Sequence, residues 1–438
     1  MADLLTNRWH PLRHHAIQEA WATSRQRFHV VPAGRRSGKT ELAKRKLTKA
    51  AVRGSGFDRP RYFAAAPTRD QAKRIYWDDL KRMVPPVLIQ DISETELKIE
   101  LITGASLWVV GLDRPERIEG QPWDGGVVDE YANCKPTAWT ENIRPALSDR
   151  AGWCDFIGVP EGYNHFYDLY QQAEGGRDEW AAFTWWSEDI LPPSEIASAK
   201  MDLPEAIYRQ EYQAEFISFT GRANYGFDRA DHVAPVRNLY QPRADLILCL
   251  DFNVSPGIAV ICQELLEPDG RQPITAVIGE VWIEQGSNTQ MVMQAFLDEW
   301  RHHQGGLHVY GDQTGGAQGT AALLGSDWDI VNGMLEPAFG RRLWVSRPGF
   351  NPSERARLNA MNARLKTAAG RVGLKADPDH APHLIDDLER VVLVADGSGK
   401  LDKNMDKRLT HPSDALGYYV FAEHPMVAHA GQVAVRGF

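Results

Sequence analysis

The sequence predicts an α/β protein in two parts, on three observations. Short apolar runs of strand character alternate with longer amphipathic stretches through the first half. A Gly-, Pro- and Asp-rich segment without periodicity follows, after which the alternation restarts. The composition, 438 residues at 43% hydrophobic and 24% charged, is enough to fill more than one core and is not that of a disordered chain.

In chain order, FHVVPA (28–33), RYFAAAP (61–67), SLWVVGL (106–112), GGVVDEY (125–131) and WCDFIGVP (153–160) read as short buried strands. KTELAKRKLTKAAVRG, ended by Gly54, and TRDQAKRIYWDDLKRMV, closed by Pro85 and Pro86, read as helices between them. Strands separated by helices imply a mostly parallel sheet. PSEIASAKMDLPEAIYRQEYQAEF continues as helix to Phe216. The expected division is a first domain over 1–216, a linker over 217–243, a second domain over 244–424 and a flexible tail over 425–438. The second domain restarts with LILCLDF (246–252), then GIAVICQELL, TAVIGEVWIE, an amphipathic helix around 288–303 and LHVYGD (307–312). ERVVLVADGSGKLDK reads as a hairpin over Asp396, and HPSDALGYYVFAEH as a last helix.

Several classes are excluded. No window holds eighteen consecutive apolar residues, so no membrane-spanning helix is expected. The N-terminal MADLLTNRWHPLRHH has no apolar stretch of the kind a secretory signal needs. Cys134, Cys154, Cys249 and Cys262 form no CxxC pair, which argues against a zinc ribbon and for a reducing compartment. The net charge of −9 hides an asymmetry: residues 1–90 hold 19 Lys+Arg against 7 Asp+Glu, leaving 30 against 51 in the rest. That points to a basic working surface at one end, or to basic helix faces alone.

The motifs carry the chemistry. Ala33-Gly34-Arg35-Arg36-Ser37-Gly38-Lys39-Thr40 follows a strand and opens a helix, the context a phosphate loop needs. Backbone N–H groups and the helix N-terminus would cradle phosphates, Lys39 would reach the β/γ-phosphates and Thr40 would bind Mg²⁺. Ala33 stands where the usual first glycine falls. In Val127-Val128-Asp129-Glu130 an apolar strand ends in two carboxylates, suited to holding Mg²⁺ (Asp129) and polarising a water (Glu130). Together the two motifs read as an ATPase. Arg35 or Arg36 could stabilise charge at a γ-phosphate, one more easily than two; the alternative is that one or both face DNA or solvent.

In the second half Asp251 ends a strand, Asp312 ends another and Asp414 opens the last helix. Three such carboxylates at one sheet edge could hold two Mg²⁺ ions for phosphodiester hydrolysis, with Mn²⁺ able to substitute. His411 reads first as a helix cap, and Asp396 and Asp402 as solvated turn residues. Trp185-Trp186 and Tyr418-Tyr419 read as core before base-stacking platforms.

These residues resemble the large terminase subunit of tailed bacteriophages. The resemblance rests on AGRRSGKT, VVDEYA, IGVPEGYNHFY, YRQEYQAEF and the trio Asp251, Asp312 and Asp414, and it covers nearly the whole chain. It implies a P-loop (ASCE, RecA-like) ATPase domain that drives double-stranded DNA into a procapsid, and an RNase H-like nuclease domain that cuts the concatemer. It implies ATP and Mg²⁺ as cofactors. Its implied partners are a portal protein, a small terminase subunit and further copies in a ring on the procapsid, in the bacterial host cytoplasm and without a membrane. It assigns Arg35 the role of arginine acting in cis and Gln18 that of adenine contact, with His15 second. An arginine acting in trans is expected from the basic stretch Arg69–Arg82. Val159 departs from the family's Ser or Thr in the motif that couples hydrolysis to movement. Two rivals are a helicase-like ATPase with a nuclease and a non-catalytic capsid-assembly adaptor. Strand-end aspartates in place of a second RecA-like domain disfavour the first, and intact Lys39, Asp129 and Glu130 disfavour the second.

Overall fold

Alternate residues of the first sheet bury themselves in opposite directions, which is why its strands read as unbroken apolar runs. Val31, Ala64 and Val127 pack on one face with Ala43, Leu47 and Tyr76, whereas Val30, Phe63 and Val128 pack on the other with Phe156 and Trp139. The computed structural model describes residues 15–217, 221–252, 255–266, 273–313, 326–394, 399–403, 406 and 408–426. These form two units, one of residues up to 196 with 208–217, the other of 197–207 with the described residues from 221 onward.

The described residues of the first unit form eight strands: β1 (Phe28–Pro32), β2 (Arg61–Ala66), β3 (Ile89–Ser93), β4 (Lys98–Leu101), β5 (Ser106–Gly111), β6 (Gly125–Val128), β7 (Trp153–Gly158) and β8 (Trp180–Ala182). Their order is β3-β4-β5-β2-β6-β7-β1-β8. All neighbours from β5 to β8 are parallel, and β3 and β4 add an antiparallel edge. The five strands expected from the sequence are β1, β2, β5, β6 and β7. Helix Lys39–Arg53 starts after Gly38, at φ 89°, and stops at Gly54, at φ 69°. Its Ala43, Leu47 and Ala51, four residues apart, make one buried stripe. A buried ion trio ties it to the sheet: Asp155 of β7 meets His29 of β1 at 2.7 Å and Lys46 at 2.7 Å. The expected single helix ending at Phe216 is two, Pro193–Asp202 and Glu205–Gln213, separated at Pro204, which has no N–H to donate.

The second unit holds β9 (Gly221–Arg222), β10 (Leu246–Asp251), β11 (Gly257–Leu266), β12 (Pro273–Ile283), β13 (Leu307–Gly311), β14 (Leu343–Ser346), β15 (Leu374–Ala376) and β16 (Val392–Leu393). The six-stranded sheet runs β14-β13-β10-β11-β12-β15. β11 is antiparallel to both β10 and β12, while β13 and β14 run parallel to β10. Numbered by appearance, β12-β11-β10-β13-β14 is the 3-2-1-4-5 order of an RNase H-like sheet, and β8-β1-β7-β6-β2 is the 5-1-4-3-2 order of an ASCE P-loop sheet.

Within the expected linker 217–243, residues 221–243 belong to the second unit. β9 pairs with β16, a short helix covers Arg229–His232, and Ala223, Asn224, Phe227, His232 and Val236 are buried in the second unit. Its Gly and Pro residues shape turns between buried anchors rather than a solvated tether. The arms of the expected hairpin do pair, with the Val394 N–H donating to Lys400 O at 2.8 Å. Its tip, with Asp396, lies outside the described residues, as does the tail from 427 on. No helix among the described residues is long and apolar enough to cross a membrane.

Candidate functional site

In the first unit the phosphate loop leaves β1 and is pinned before any ligand is considered. Gly34 N–H donates to Trp185 O at 3.1 Å and Arg35 N–H to Glu211 O at 2.6 Å. Gly34 has no room for a side chain: a Cβ would fall 2.4 Å from Ser187 Oγ and 2.6 Å from Tyr212 O. The preceding position is less demanding, and Ala33 is wholly buried there. The loop turns through left-handed Arg36, at φ 59°, and Gly38, and Arg36 is exposed. The Ser37 carbonyl accepts from Gln18 Nε2 at 2.8 Å and from Trp185 Nε1 at 3.0 Å. Gln18 therefore braces the loop, and the partly buried His15 precedes it at the head of helix Ala16–Thr23.

Lys39, 6% exposed, stands 3.5 Å from Gly34 O. Burial lowers its pKa, while Glu130 and Asp129 oppose that shift. Thr40 Oγ1 donates to Asp129 Oδ2 at 2.8 Å, and the Tyr76 hydroxyl donates to the same oxygen at 3.0 Å. Tyr76 belongs to a π-helical segment, Lys73–Trp77, an irregularity that recurs at functional sites. Glu130 sits at φ 50° just past the strand, and its N–H donates to Asp129 Oδ1 at 2.9 Å. Its carboxyl is pushed up by burial and then by Asp129. The Arg35 guanidinium pairs with Glu211. Glu211 was not singled out in the sequence, since 176 residues separate it from Arg35.

Two features fit a nucleotide with its metal. Ser37 Oγ is buried without a hydrogen-bond partner among the described residues, and a hydroxyl–carboxylate pair, Thr40 with Asp129, stands at the helix start. A cavity of about 740 Å³ opens beside Gln18 and His15, with Leu42, Arg45, Lys46 and Lys49 on its helical wall. Val159 is buried just after β7. Of the stretch proposed to act in trans, Arg69 and Arg82 have partners within the first unit, Thr95 O and Asp79, whereas Arg74 is exposed.

In the second unit the parallel register Leu250↔Gly311 sets Asp251 and Asp312 side by side at one sheet edge. Helix His411–Glu423 packs across β10 and β13 and brings Asp414 from its first turn. The Tyr418 hydroxyl is pushed up, first by burial, and Asp312, Asp414 and Asp251 all act on it in the same direction. His411 is not the helix cap expected: Thr410 holds the N-cap position, and His411, the first helical residue, sets its Nδ1 2.9 Å from Asp251 Oδ2. The helix start is fixed by wholly buried Asp387, which accepts from the N–H groups of Thr410 and Ser413 at 2.7 Å each.

Asp414 is compensated by two cations. Arg357 Nη2 lies 2.9 Å from Asp414 Oδ1, and Lys403 Nζ lies 3.3 Å from Oδ2. Burial raises its carboxyl pKa, against which Arg357 and Lys403 act. Arg357, only 8% exposed, also lies 4.4 Å from the Tyr418 ring centre. The donors are hard carboxylate oxygens, chemically suited to Mg²⁺ or Mn²⁺. Yet among the described residues no three His, Cys, Asp or Glu side chains stand close enough to share one ion. The aromatic pairs divide: Trp185 and Tyr419 are core, whereas Trp186 is 45% exposed. The Asp402 backbone N–H continues the hairpin arm by donating to Val392 O at 2.9 Å.

No family model matches the chain. It is 27% identical over 333 residues to the large terminase subunit of Thermus phage G20c, covering 66% of this chain and 67% of that one. The large terminase subunits of Thermus virus P23-45 and Escherichia phage T5 match at 27% and 25% identity. The chain is related to phage large terminase subunits. It spans about half the length of the latter two relatives. The solved large terminase of a thermophilic bacteriophage superposes at a TM-score of 0.54 with 14% identity, covering 94% of this chain and 99% of that one. At that identity the terminase likeness extends the fold across both units and says nothing of individual residues.

Proposed function

We propose that this chain is a viral genome-packaging motor, in which ATP hydrolysis by the first unit drives double-stranded DNA into a procapsid and a metal-dependent endonuclease in the second unit cuts concatemeric DNA. The observation that carries the reading is the assembly of Lys39, Thr40, Asp129 and Glu130 around a pinned phosphate loop, in a chain related to large terminase subunits along both units. The large terminase of the same thermophilic bacteriophage has been solved with ATP-gamma-S and with ADP, which supports placing ATP on the loop.

Lys39 and the loop N–H groups bind the β- and γ-phosphates, and Thr40 with Asp129 would hold Mg²⁺. That ion supplies charge neutralisation on the phosphate oxygens. Glu130 orients the attacking water and takes its proton, a role suited by a carboxyl whose pKa is raised. Arg35 stabilises charge at the γ-phosphate, and Gln18 serves the adenine side. In the second unit Asp251, Asp312 and Asp414 would hold the divalent ions, Mg²⁺ or Mn²⁺, whose chemistry is to activate water and stabilise a leaving oxygen. His411 orients Asp251. The partners proposed are double-stranded DNA, a portal protein, a small terminase subunit and further copies in a ring on the procapsid, in the host cytoplasm. Neither the helicase-like nor the adaptor reading is favoured by the relatives. The test is ATP turnover with and without DNA, alongside plasmid cutting in Mg²⁺ or Mn²⁺. A chain that does neither would sink the proposal.

A further inference from the structure

We propose that the loop between β14 and helix Glu354–Leu365 is a duplex-DNA contact of the nuclease centre, with the Phe350 ring set against the strand to be cut. The inference rests on the endonuclease reading of the second unit. β14 runs parallel to β13, so the loop leaves the sheet at the edge where Asp312 stands. Gln313, the next residue after Asp312, clasps it twice. The Gln313 N–H donates to Asn351 Oδ1 at 2.7 Å, and its Nε2 donates to Gly349 O at 2.7 Å. Phe350 lies between these two anchors. The clasp therefore ties the segment that carries Phe350 to the residue that follows Asp312.

Phe350 is 68% exposed, although the loop that carries it is fixed. A large ring held in water forgoes its burial free energy, and a ligand that covers it recovers that term. The same edge carries Asp251, Asp312 and Asp414, and the cations nearest Asp414, Arg357 and Lys403, are engaged with its carboxylate. An aromatic contact holds a strand there without depending on charge, by stacking on a base or wedging at a base step. Exposed Arg347, at the foot of the loop, supplies a cation for a flanking phosphate.

The test uses the full chain and four proteins: wild type, Phe350→Ala, Phe350→Trp and Arg347→Gln. Binding of a short fluorescein-labelled duplex is measured by anisotropy in EDTA, and kcat and KM for cutting are measured in Mg²⁺ or Mn²⁺, with ATP turnover as a control for folding. Phe350→Ala should weaken binding and raise KM about tenfold, with kcat and ATP turnover close to wild type, since one aromatic–base contact is of that order. Phe350→Trp should restore both, and Arg347→Gln should reduce the salt slope of binding by about one. If wild type cuts and Phe350→Ala binds and cuts with unchanged affinity and KM, the inference is overturned. It is equally overturned if that variant instead loses association with a capsid protein, since the ring would then be a protein-docking residue. A wild-type chain that never cuts would overturn the endonuclease reading itself, a result distinguishable from both.

Discussion

The two carboxylate centres of this chain hold their acids by opposite means. Asp129 is wrapped in neutral donors: the Thr40 and Tyr76 hydroxyls and the Glu130 N–H. Asp414 is held by two cations, Arg357 and Lys403. A hydroxyl that donates to a carboxylate can turn and offer its oxygen to an incoming ion, so the first centre receives a cation without breaking an ion pair. The second must give up or share a resident charge, and breaking a buried pair is costly. The first centre is poised for metal, whereas the second has a built-in competitor for it.

The largest effects separate the two centres. Lys39→Ala should reduce ATP turnover to background while the full chain still cuts DNA in Mg²⁺, as read by phosphate release and plasmid nicking. Parallel loss of cutting would mean the centres are not independent. Asp251→Ala should do the reverse, abolishing cutting and lowering metal affinity by calorimetry with ATP turnover kept. Equal metal affinity in the two proteins would reject the three-aspartate assignment. Both experiments need the full chain, because a fragment starting at 244 lacks Phe227, His232 and Val236 from its core.

A smaller effect is expected of Glu130→Gln, which should bind ATP normally and turn it over about 10²–10⁴-fold more slowly, since only the proton acceptor is lost. Failure to bind nucleotide would make Glu130 structural. The mildest prediction concerns Glu264, remote from both centres. Burial pushes its carboxyl up, but the bond from His424, the charge of Arg364 and the hydroxyls of Thr275 and Tyr419 outweigh that and hold it at about 2. A depressed pKa contributes stability that is present above the unfolded value and lost as pH falls. The second unit should therefore lose about 3 kcal/mol between roughly pH 4.5 and 2. Glu264→Gln should flatten that loss in denaturant titrations, and an unchanged slope would assign the acid sensitivity elsewhere.

What the sequence disclosed follows from where each residue's partner lies. β1, β2, β6 and β7 were legible because both faces are buried, leaving continuous apolar runs. β3 and β4 were not, because IQDIS and KIEL at the sheet edge are partly solvated and mix polar with apolar residues. The phosphate loop was legible because its chemistry is local. Glu211 and Tyr76 were not, because their partners lie 176 and 53 residues away. Arg357 was the hardest to read: ERARLNAMNARL looks like a solvated helix, yet it buries Arg357 and Arg364 on carboxylates. Segment 217–243 misled because turn-forming composition was read as a tether, when its few apolar residues are core.

The two side chains that grip the Ser37 carbonyl also bear on time. Gln18 and Trp185 hold the loop in shape on their own, so no ordering step stands between an arriving nucleotide and its seat. Association should be a single exponential whose rate rises linearly with nucleotide concentration. The slow event of the cycle then falls later, at bond cleavage or release. Loosening the grip with Gln18→Ala should bend that line into saturation, because the loop would have to find its shape first.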